Sequence, residues 1–332
     1  MKKILLWSFI LTVFFLAGCG KYNDKDIIRD LTKQLDSTKG YYLEGEMEIT
    51  NNDDVFNYDV SVSFEKKNFY RVNLKNKANN HEQIILKNNE GVYVLTPSLN
   101  KSFKFQSEWP YNNSQVYLIQ SLIKDLKDDN NRTFEEKDNY YIFKTKVNYP
   151  NNRRLVKQII YLDKKLNFKE VHVLDDHDNP QIKMKFSSVD MKATFDNNYF
   201  SLSENMKVGL EQEKVADVTA LKEIIYPLYI PDKTYLSGKD KIAKTNGERF
   251  ILTFEGDYPF MLIEETAHYE TDGLIVPVYG DPELLVDTVG SISDSSINWI
   301  SNGIEYYIVS SVLDKNELLT IAKSIGVLPV AK

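Results

Sequence analysis

The sequence predicts an α+β protein in which helices cover the concave face of a strongly curved antiparallel sheet and a smaller mixed domain follows. Apolar and polar residues alternate through most of residues 41–189, which is typical of antiparallel strands with one buried face. Two stretches, one before the strands and one among them, instead carry apolar residues at helical spacing. The last third of the chain loses this regularity and becomes acidic, which indicates a second domain.

The chain begins with the pattern of an export signal. Two lysines precede an apolar run, Ile4 to Leu16, which is shorter than the roughly 20 residues that span a bilayer. Leu16 also begins the sequence Leu-Ala-Gly-Cys, which ends at Cys19 and looks like a bacterial lipobox. We therefore expect residues 1–18 to be a lipoprotein signal peptide, Cys19 to be the lipidated mature N-terminus, and residues 19–26 to be a tether. The alternative is a simple secretory peptide with an incidental cysteine.

This single cysteine bounds both the location and the chemistry of the protein. Two or three acyl chains on Cys19 would hold the chain stably on the outer face of the cell membrane, whereas one chain holds a protein only marginally. No other cysteine is present, so the exported part has no internal disulfide, no cysteine-ligated zinc and no thiol nucleophile.

Charge is divided unevenly along the chain. Residues 1–207 carry 31 Lys and Arg against 28 Asp and Glu, whereas residues 208–332 carry 10 against 20. We predict a first domain at 27–207, a linker at 208–218 and an acidic α+β domain at 219–332. An acidic chain without a basic patch argues against a nucleic-acid partner.

Two helices are predicted in the first domain. One is capped by Asp26 and ended by Gly40, and the other starts at Asn113 or Ser114. The strands predicted around them are 41–49, 58–64, 70–74, 83–87, 91–97, 103–105, 139–147, 155–163, 168–174 and 181–189.

The second domain shows mixed signals. A short helix is predicted at 219–225. A second helix starts at Asp314, where Glu317 completes a capping-box pattern, and Gly326 and Pro329 end it. The strands predicted between these helices are 250–255, 260–265, 274–279, 297–300 and 304–310.

The ordered strands at 68–72, 83–97 and 101–105, together with the lipobox and the first helix, resemble the LolA-like lipoproteins of spore-forming bacteria. This is the group related to the sporulation lipoprotein YdcC and the germination lipoprotein GerS. The resemblance covers roughly residues 26–205. Residues 299–322 resemble a small domain of unknown function that often follows sensor or membrane-associated proteins.

The resemblance implies an open β half-barrel whose helices form a lid over an apolar cavity, which in the carrier LolA holds the acyl chains of a lipoprotein. Attachment through Cys19 argues against such shuttling here. Arg71 is a candidate lid latch to a helix carbonyl, and surface pairing is the alternative. The expected cavity lining, with its floor on the strands and its roof on the second helix, is Met47, Val60, Val62, Val72, Leu74, Val116, Ile119, Leu122 and Ile123.

No catalytic, metal or cofactor site is predicted. The sequence contains neither His-Glu-x-x-His nor Gly-x-Ser-x-Gly, and its four histidines have no metal-ligand spacing. The acidic turn formed by Asp175, Asp176, His177 and Asp178 lacks the glycine and the distal glutamate of a calcium loop. Acidic residues are common in surface turns, which is the simpler interpretation.

Two functional hypotheses remain. The first is a membrane-anchored, non-enzymatic lipoprotein of a spore-forming bacterium that binds an acyl chain or a protein partner in sporulation or germination. The second is a scaffold with a filled core that positions or activates an enzyme modifying spore-cortex peptidoglycan. An enzyme is disfavoured because no nucleophile–base pair or metal set is visible. An apolar cavity of several hundred Å³ would favour the first hypothesis, and a filled core the second.

Overall fold

A computed structural model describes residues 22–52, 54–212, 221–244 and 247–325 of the chain. Cys19 and the predicted signal peptide lie outside these residues, so the lipid anchor stays a prediction. Among the described helices, none has both the length and the apolar character needed to cross a bilayer. Those helices are α1 (Asp24–Ser37), α2 (Ile119–Asp128), α3 (Leu202–Gln212) and α4 (Lys315–Ser324), with a 3₁₀ turn at Pro97–Leu99.

A large sheet of twelve strands forms the first part of the molecule. Its strands are β1 (Gly40–Asn51), β2 (Asp54–Glu65), β3 (Phe69–Asn76), β4 (Glu82–Asn88), β5 (Gly91–Thr96), β6 (Lys101–Phe105), β7 (Thr133–Lys137), β8 (Tyr140–Lys146), β9 (Lys157–Asp163), β10 (Phe168–Leu174), β11 (Pro180–Asp190) and β15 (Leu274–Val278).

The order of these strands explains the open half-barrel. Strands β1 to β6 run as an antiparallel meander toward one edge, and the chain then crosses through α2 to the opposite edge. Strands β7 to β11 return from there until β11 pairs with β1. The sheet does not close, because β7 and β15 occupy its two edges. Helices α1 and α2, which we call the roof, bury their apolar sides against one face of this sheet.

A second sheet of seven strands lies in the C-terminal unit, by which we mean residues 221–325. Helix α4 packs in the hydrophobic core of this sheet. The prediction of a LolA-like α+β half-barrel with a smaller α+β C-terminal part is therefore confirmed. The strands, in sheet order, are β12 (Thr234–Lys244), β13 (Gly247–Gly256), β14 (Phe260–Thr266), β19 (Ile304–Val309), β18 (Ser296–Ser301), β17 (Val289–Ile292) and β16 (Asp281–Leu284).

The first helix begins earlier than predicted. Asn23 is its N-cap and accepts hydrogen bonds from the backbone N–H groups of Lys25 and Asp26, so Asp26 is the third helical residue rather than the cap. The tether is correspondingly shorter than residues 19–26. Gly40 does not end the helix but opens β1, where a Cβ atom would lie 2.8 Å from the Ala193 carbonyl oxygen.

The second helix begins later than predicted, at Ile119 instead of Asn113 or Ser114. Hydrogen bonds hold the preceding residues outside the helix. The Ser114 hydroxyl accepts from the backbone N–H of Asn148 at 2.9 Å, and the backbone N–H of Gln115 donates to the Ser121 hydroxyl at 2.7 Å. Val116 therefore lies before the roof helix and not on it.

The predicted domain limits are only partly visible in the elements. Helix α3 continues to Gln212, so the first half of the predicted linker at 208–218 is helical. Strand β15 pairs in parallel with β6 and so belongs to the large sheet. That residues 27–207 and 219–332 fold separately stays a prediction, and β15 is a direct link between the two.

Two helices were predicted in the C-terminal unit, one near each end, and the structure bears out only the second. The predicted helix at 219–225 does not form in its described part, because the backbone N–H of Ile225 donates to the Glu264 side chain at 3.0 Å instead of to a helical carbonyl. The predicted cap of the last helix is confirmed, since the Asp314 carboxylate accepts from the backbone N–H of Glu317 at 3.0 Å. Gly326 and Pro329, its predicted end, lie outside the described residues.

Candidate functional site

The nine residues predicted to line a cavity under the roof are all buried. Each is at most 3% exposed, and all nine belong to one hydrophobic core with α1 and α2. A void of about 10 Å³ borders Ile119 and Ile123, which is at the lower limit for a single water molecule. Floor and roof side chains therefore pack against each other where the resemblance implies an open cavity.

Open volume lies instead at one end of the half-barrel, which we call the mouth. A cavity of about 520 Å³, partly open to solvent, lies between this end and the C-terminal unit. Its walls come from residues 49–52, 151–155 and 282–285 and from one side of α4. Of the nine predicted lining residues, Val116 borders this cavity.

The wall on the half-barrel side of the mouth is apolar. Ile49 at the end of β1, Ile85 on β4 and Ile182 on β11 reach it from three strands, because alternate residues of each strand point to the same side of the sheet. Val116 and Leu155 complete this wall. A ligand in the mouth would therefore meet an apolar surface continuous with the core.

The opposite wall carries charge. Glu283 on β16 is 6% exposed, and its carboxylate accepts a hydrogen bond from the Asn151 side chain at 3.0 Å. Burial raises the pKa of Glu283, while Asn151 and the cation of Lys323 act in the opposite direction. Burial lowers the pKa of Lys323. Arg153 and Arg154 line the same cavity and are exposed.

A buried polar network attaches the C-terminal unit to the mouth. The Gln83 side chain, 3% exposed on β4, accepts from the backbone N–H of Val289 at 2.6 Å and from the Thr288 hydroxyl at 2.9 Å. The same amide donates to the carbonyl of Val289 at 3.2 Å. An ion pair between Lys101 and Glu305 at 2.7 Å joins the two parts again at the edge of the large sheet.

Arg71 does fasten a helix, but not the predicted one. Its Nε donates to the Asn205 side chain of α3 at 2.6 Å, and its guanidinium lies over the Tyr199 ring. The reason is strand periodicity: Tyr70 and Val72 point into the core under the roof, so Arg71 must point to the other face of the sheet. The acceptor is a side-chain amide rather than a helix carbonyl.

The acidic turn uses its carboxylates for local structure. Asp175 accepts from the backbone N–H groups of His177 and Asn179, and Asp178 pairs with two lysines, Lys144 at 2.8 Å and Lys157 at 2.7 Å. Bonds to these lysines lower the pKa of Asp178 to about 2. Within the described ranges, no group of three or more His, Cys, Asp or Glu side chains is placed to hold a metal ion.

Sequence reasoning missed the mouth. Asn151, Glu283 and Lys323 are more than one hundred residues apart at their widest, and no local pattern joins them. The one available signal was Glu283 itself, a carboxylate directly before the apolar run Leu284-Leu285-Val286. Such a residue is either a surface position or a buried site, and only the fold decides between them.

Residues 1–200 match the family described as "Sporulation protein YdcC-like". The chain is 36% identical over 334 residues to the sporulation protein YdcC of Bacillus subtilis (strain 168), which covers 98% of each chain.

Among solved structures, similarity is found to the MucA/MucB complex of Pseudomonas aeruginosa, with 11% identity, a TM-score of 0.33 and coverage of 90% of this chain and 96% of that one. A chain in the complex of the CwlD amidase and the GerS lipoprotein from Clostridioides difficile matches at 16% identity, a TM-score of 0.23 and coverage of 51% and 96%. These TM-scores are too low to carry an argument about function. The match over residues 1–200 and the identity across nearly the whole chain establish that this chain belongs to the YdcC-like family of sporulation proteins.

Proposed function

We propose that this chain is a lipid-anchored sporulation protein that acts by binding a protein partner, with the half-barrel as a solid scaffold. The packing under the roof carries this proposal. Cavities that hold small ligands have about 300–1,000 Å³ of volume, whereas the void beside Ile119 and Ile123 has about 10 Å³. A half-barrel filled by its own side chains has no room for an acyl chain at the predicted position.

The anchor is the second part of the proposal. Lipidation of Cys19 would confine the chain to the outer face of the cell membrane, where partners in the cell envelope are within reach. Replacing Cys19 by Ala tests it: the wild-type chain should fractionate with membranes, and the variant should change its fractionation and its electrophoretic mobility. A variant that behaves as the wild type in both respects contradicts the anchor.

The partner that fits the resemblance is an enzyme that modifies spore-cortex peptidoglycan, which the scaffold would position or activate. The proposal assigns no catalysis to the chain itself. Several polar groups at the mouth are engaged in structural bonds: the Asn151 side chain donates to Glu283, and the Asn51 side chain donates to the carbonyl of Lys323 at 3.1 Å.

A second candidate function is supported by the mouth. A cavity of about 520 Å³ with an apolar wall and three cationic side chains, Arg153, Arg154 and Lys323, suits a ligand with an apolar body and an anionic group. Such a ligand would place its anionic group beside the half-buried ammonium group of Lys323. Binding of a fluorescent fatty acid to the wild-type chain, with weaker binding to the Lys323→Gln variant, would support this second function. A wild-type chain that does not bind the probe would remove it.

Purification of the anchored chain from membranes of sporulating cells tests the two candidates together. Mass spectrometry of the native complex reports bound protein and bound lipid in the same sample. The scaffold proposal expects a protein in fixed proportion to the chain. A chain recovered with lipid in fixed proportion and without any protein would contradict it.

A further inference from the structure

A basic groove lies between the two roof helices. It is an open surface groove of about 580 Å³ and is lined by eight residues, of which five are Lys or Arg and one, Asp36, is acidic. The chain as a whole is acidic, with a formal net charge of −7, so such a surface stands out from the average of the molecule. The five cations are Lys25, Arg29 and Lys33 of α1, Lys127 of α2 and Arg132 after α2.

The spacing of the α1 cations explains how they share one face. Lys25, Arg29 and Lys33 follow each other at intervals of four residues, which places them one above another along the helix. At 1.5 Å per residue they extend over about 12 Å. The three cations lie away from the apolar side of the helix, so Ile27 and Leu31 can pack on the core.

Two of the five cations are already paired. Arg29 donates to Asp26 at 2.8 Å and to Asp30 at 3.1 Å, and Arg132 lies 2.7 Å from Asp24. These pairs fix the two guanidinium groups in place. The Arg132 pair also ties the groove to the very start of α1.

The other three cations, Lys25, Lys33 and Lys127, are available to a ligand. No carboxylate of the described residues lies within 4.0 Å of their ammonium groups. All three side chains are exposed. They therefore surround the groove with three positive charges that the chain's own described acids do not neutralise at contact distance.

The groove lies at the tethered end of the molecule. Helix α1 begins at Asp24, five residues after Cys19, and five residues span at most about 18 Å. A membrane that holds Cys19 is thus within one short chain segment of the first groove lysine. Anionic headgroups attract lysines placed near a bilayer, and this attraction falls off within a Debye length.

We propose that the groove between α1 and α2 binds the anionic lipid headgroups of the membrane that holds Cys19. The proposal rests on the lipid anchor proposed above and adds an orientation to it. Headgroup phosphates meet Lys25, Lys33 and Lys127, and the roof of the half-barrel lies against the bilayer. The C-terminal unit and the part of the outer face of the large sheet that α3 does not cover are then left free for a partner.

A site-specific label tests this orientation in the anchored full chain. Cys19 is the only cysteine and carries the lipid under the proposal, so an introduced cysteine is a unique labelling site. A fluorophore is placed on α1 through Gln34→Cys, and on the outer face of β11 through Ser187→Cys as the comparison. Each chain is held in nanodiscs whose headgroups carry a quencher, with phosphatidylcholine alone or with added phosphatidylglycerol.

The expected result is severalfold more quenching at Gln34→Cys when phosphatidylglycerol is present, and loss of this increase at high salt. The triple variant K25Q/K33Q/K127Q should also lose it. The matched variant K222Q/K233Q/K239Q, which removes three exposed lysines of the C-terminal unit, should keep it. Quenching at Ser187→Cys should stay low in both lipids.

Equal quenching in the two lipids, or an increase that survives the groove variant, overturns the proposal and would point to an acidic protein as the occupant. The mass of the mature N-terminus is measured on the same samples. If the chain is lipidated and quenching is equal in the two lipids, only the groove proposal is overturned. A chain without lipid on Cys19 overturns the anchor, and the argument from proximity with it.

Discussion

The space under the roof and the space at the mouth are built in opposite ways. Under the roof, Leu122 is fully buried and Ile119 borders a void of about 10 Å³. At the mouth, about 520 Å³ remains open beside Glu283, although this residue is only 6% exposed. Both regions lie between helices and the large sheet: α1 and α2 cover one face of this sheet, and α4 lines the mouth at its end.

The difference lies in what holds the two surfaces together. The roof helices are attached by apolar side chains, which reach the packing density of a crystal and leave few voids. The C-terminal unit is attached by directional bonds, such as those of Gln83 and Lys101, by the pairing of β15 with β6, and by a few apolar residues such as Val289 and Ile300, and these contacts leave the space at the mouth open. The densely packed region and the open volume are therefore separate in this fold.

The largest expected effect is a charge placed under the roof. Leu122→Asp puts a carboxylate into a fully packed core and should lower the free energy of unfolding by about 4 kcal/mol or more. Leu284→Asp, at a half-buried position on the mouth, should cost about 1 kcal/mol because water reaches it. Urea unfolding measures both. Similar small costs at the two positions would mean that the space under the roof is open.

The buried carboxylate of Asp125 predicts that the free energy of unfolding depends on pH. Burial raises the pKa of Asp125 on α2 to about 6 from its usual 3.8, against a hydrogen bond from Gln158 at 2.9 Å. The folded state then keeps a proton that the unfolded state releases. The resulting stability is fully present below about pH 4 and is lost as the pH rises through about 6, by about 3 kcal/mol.

Asp125→Asn should remove this slope, and urea unfolding between pH 4 and pH 7 measures it. Asp128→Asn, on the exposed side of the same helix, is the matched control and should keep the slope of the wild type. An Asp125→Asn variant whose stability still falls with the wild-type slope would show that the proton belongs to another group.

Removing the amide that joins the C-terminal unit to the mouth should have an intermediate effect. Gln83→Ala leaves the buried backbone N–H of Val289 without its acceptor, which costs about 2 kcal/mol. Hydrogen exchange should rise in β16 and β17 while the core under the roof stays protected. Asn79→Ala, which loses a part-buried contact to Asn302 and a local bond from the backbone N–H of His81, is the control and should change little. Unchanged exchange in Gln83→Ala would place the attachment elsewhere.

The smallest expected effect is a cut in the predicted linker. Limited proteolysis should cleave the backbone between residues 212 and 219, yet the two fragments should stay associated. Strand β15 pairs with β6, and the Lys101–Glu305 ion pair crosses the same boundary. Gel filtration of the nicked protein measures this. Pieces that elute apart would mean that the proposed domains are independent in both folding and association.

Local rules were enough for most of the half-barrel. Alternation of apolar and polar residues located ten of its strands, because a strand buried on one face repeats every two residues. The Asp314 cap was found for the same kind of reason, since its partner Glu317 is three residues away. The strand β7 was missed because only Phe134 is partly buried against the core there.

The rest depends on contacts between distant residues. The start of α2 is set by Asn148, more than thirty residues beyond Ser114. The parallel pairing of β15 with β6 joins positions about 170 residues apart, and no sequence periodicity reports such a pair. Arg71 and Asn205 are 134 residues apart in the chain, so the helix that Arg71 holds could not be identified from its strand.

The most direct test of the filled half-barrel is photo-crosslinking with a palmitate analogue that carries a photoreactive group along its chain. The purified anchored protein is irradiated with the probe, and mass spectrometry locates each adduct. We predict no adduct on Met47, Leu122 or other residues of the core under the roof, while adducts on Val116 or Leu155 would mark the mouth. A saturable adduct on Met47 or Leu122, at one probe per chain, would contradict the account.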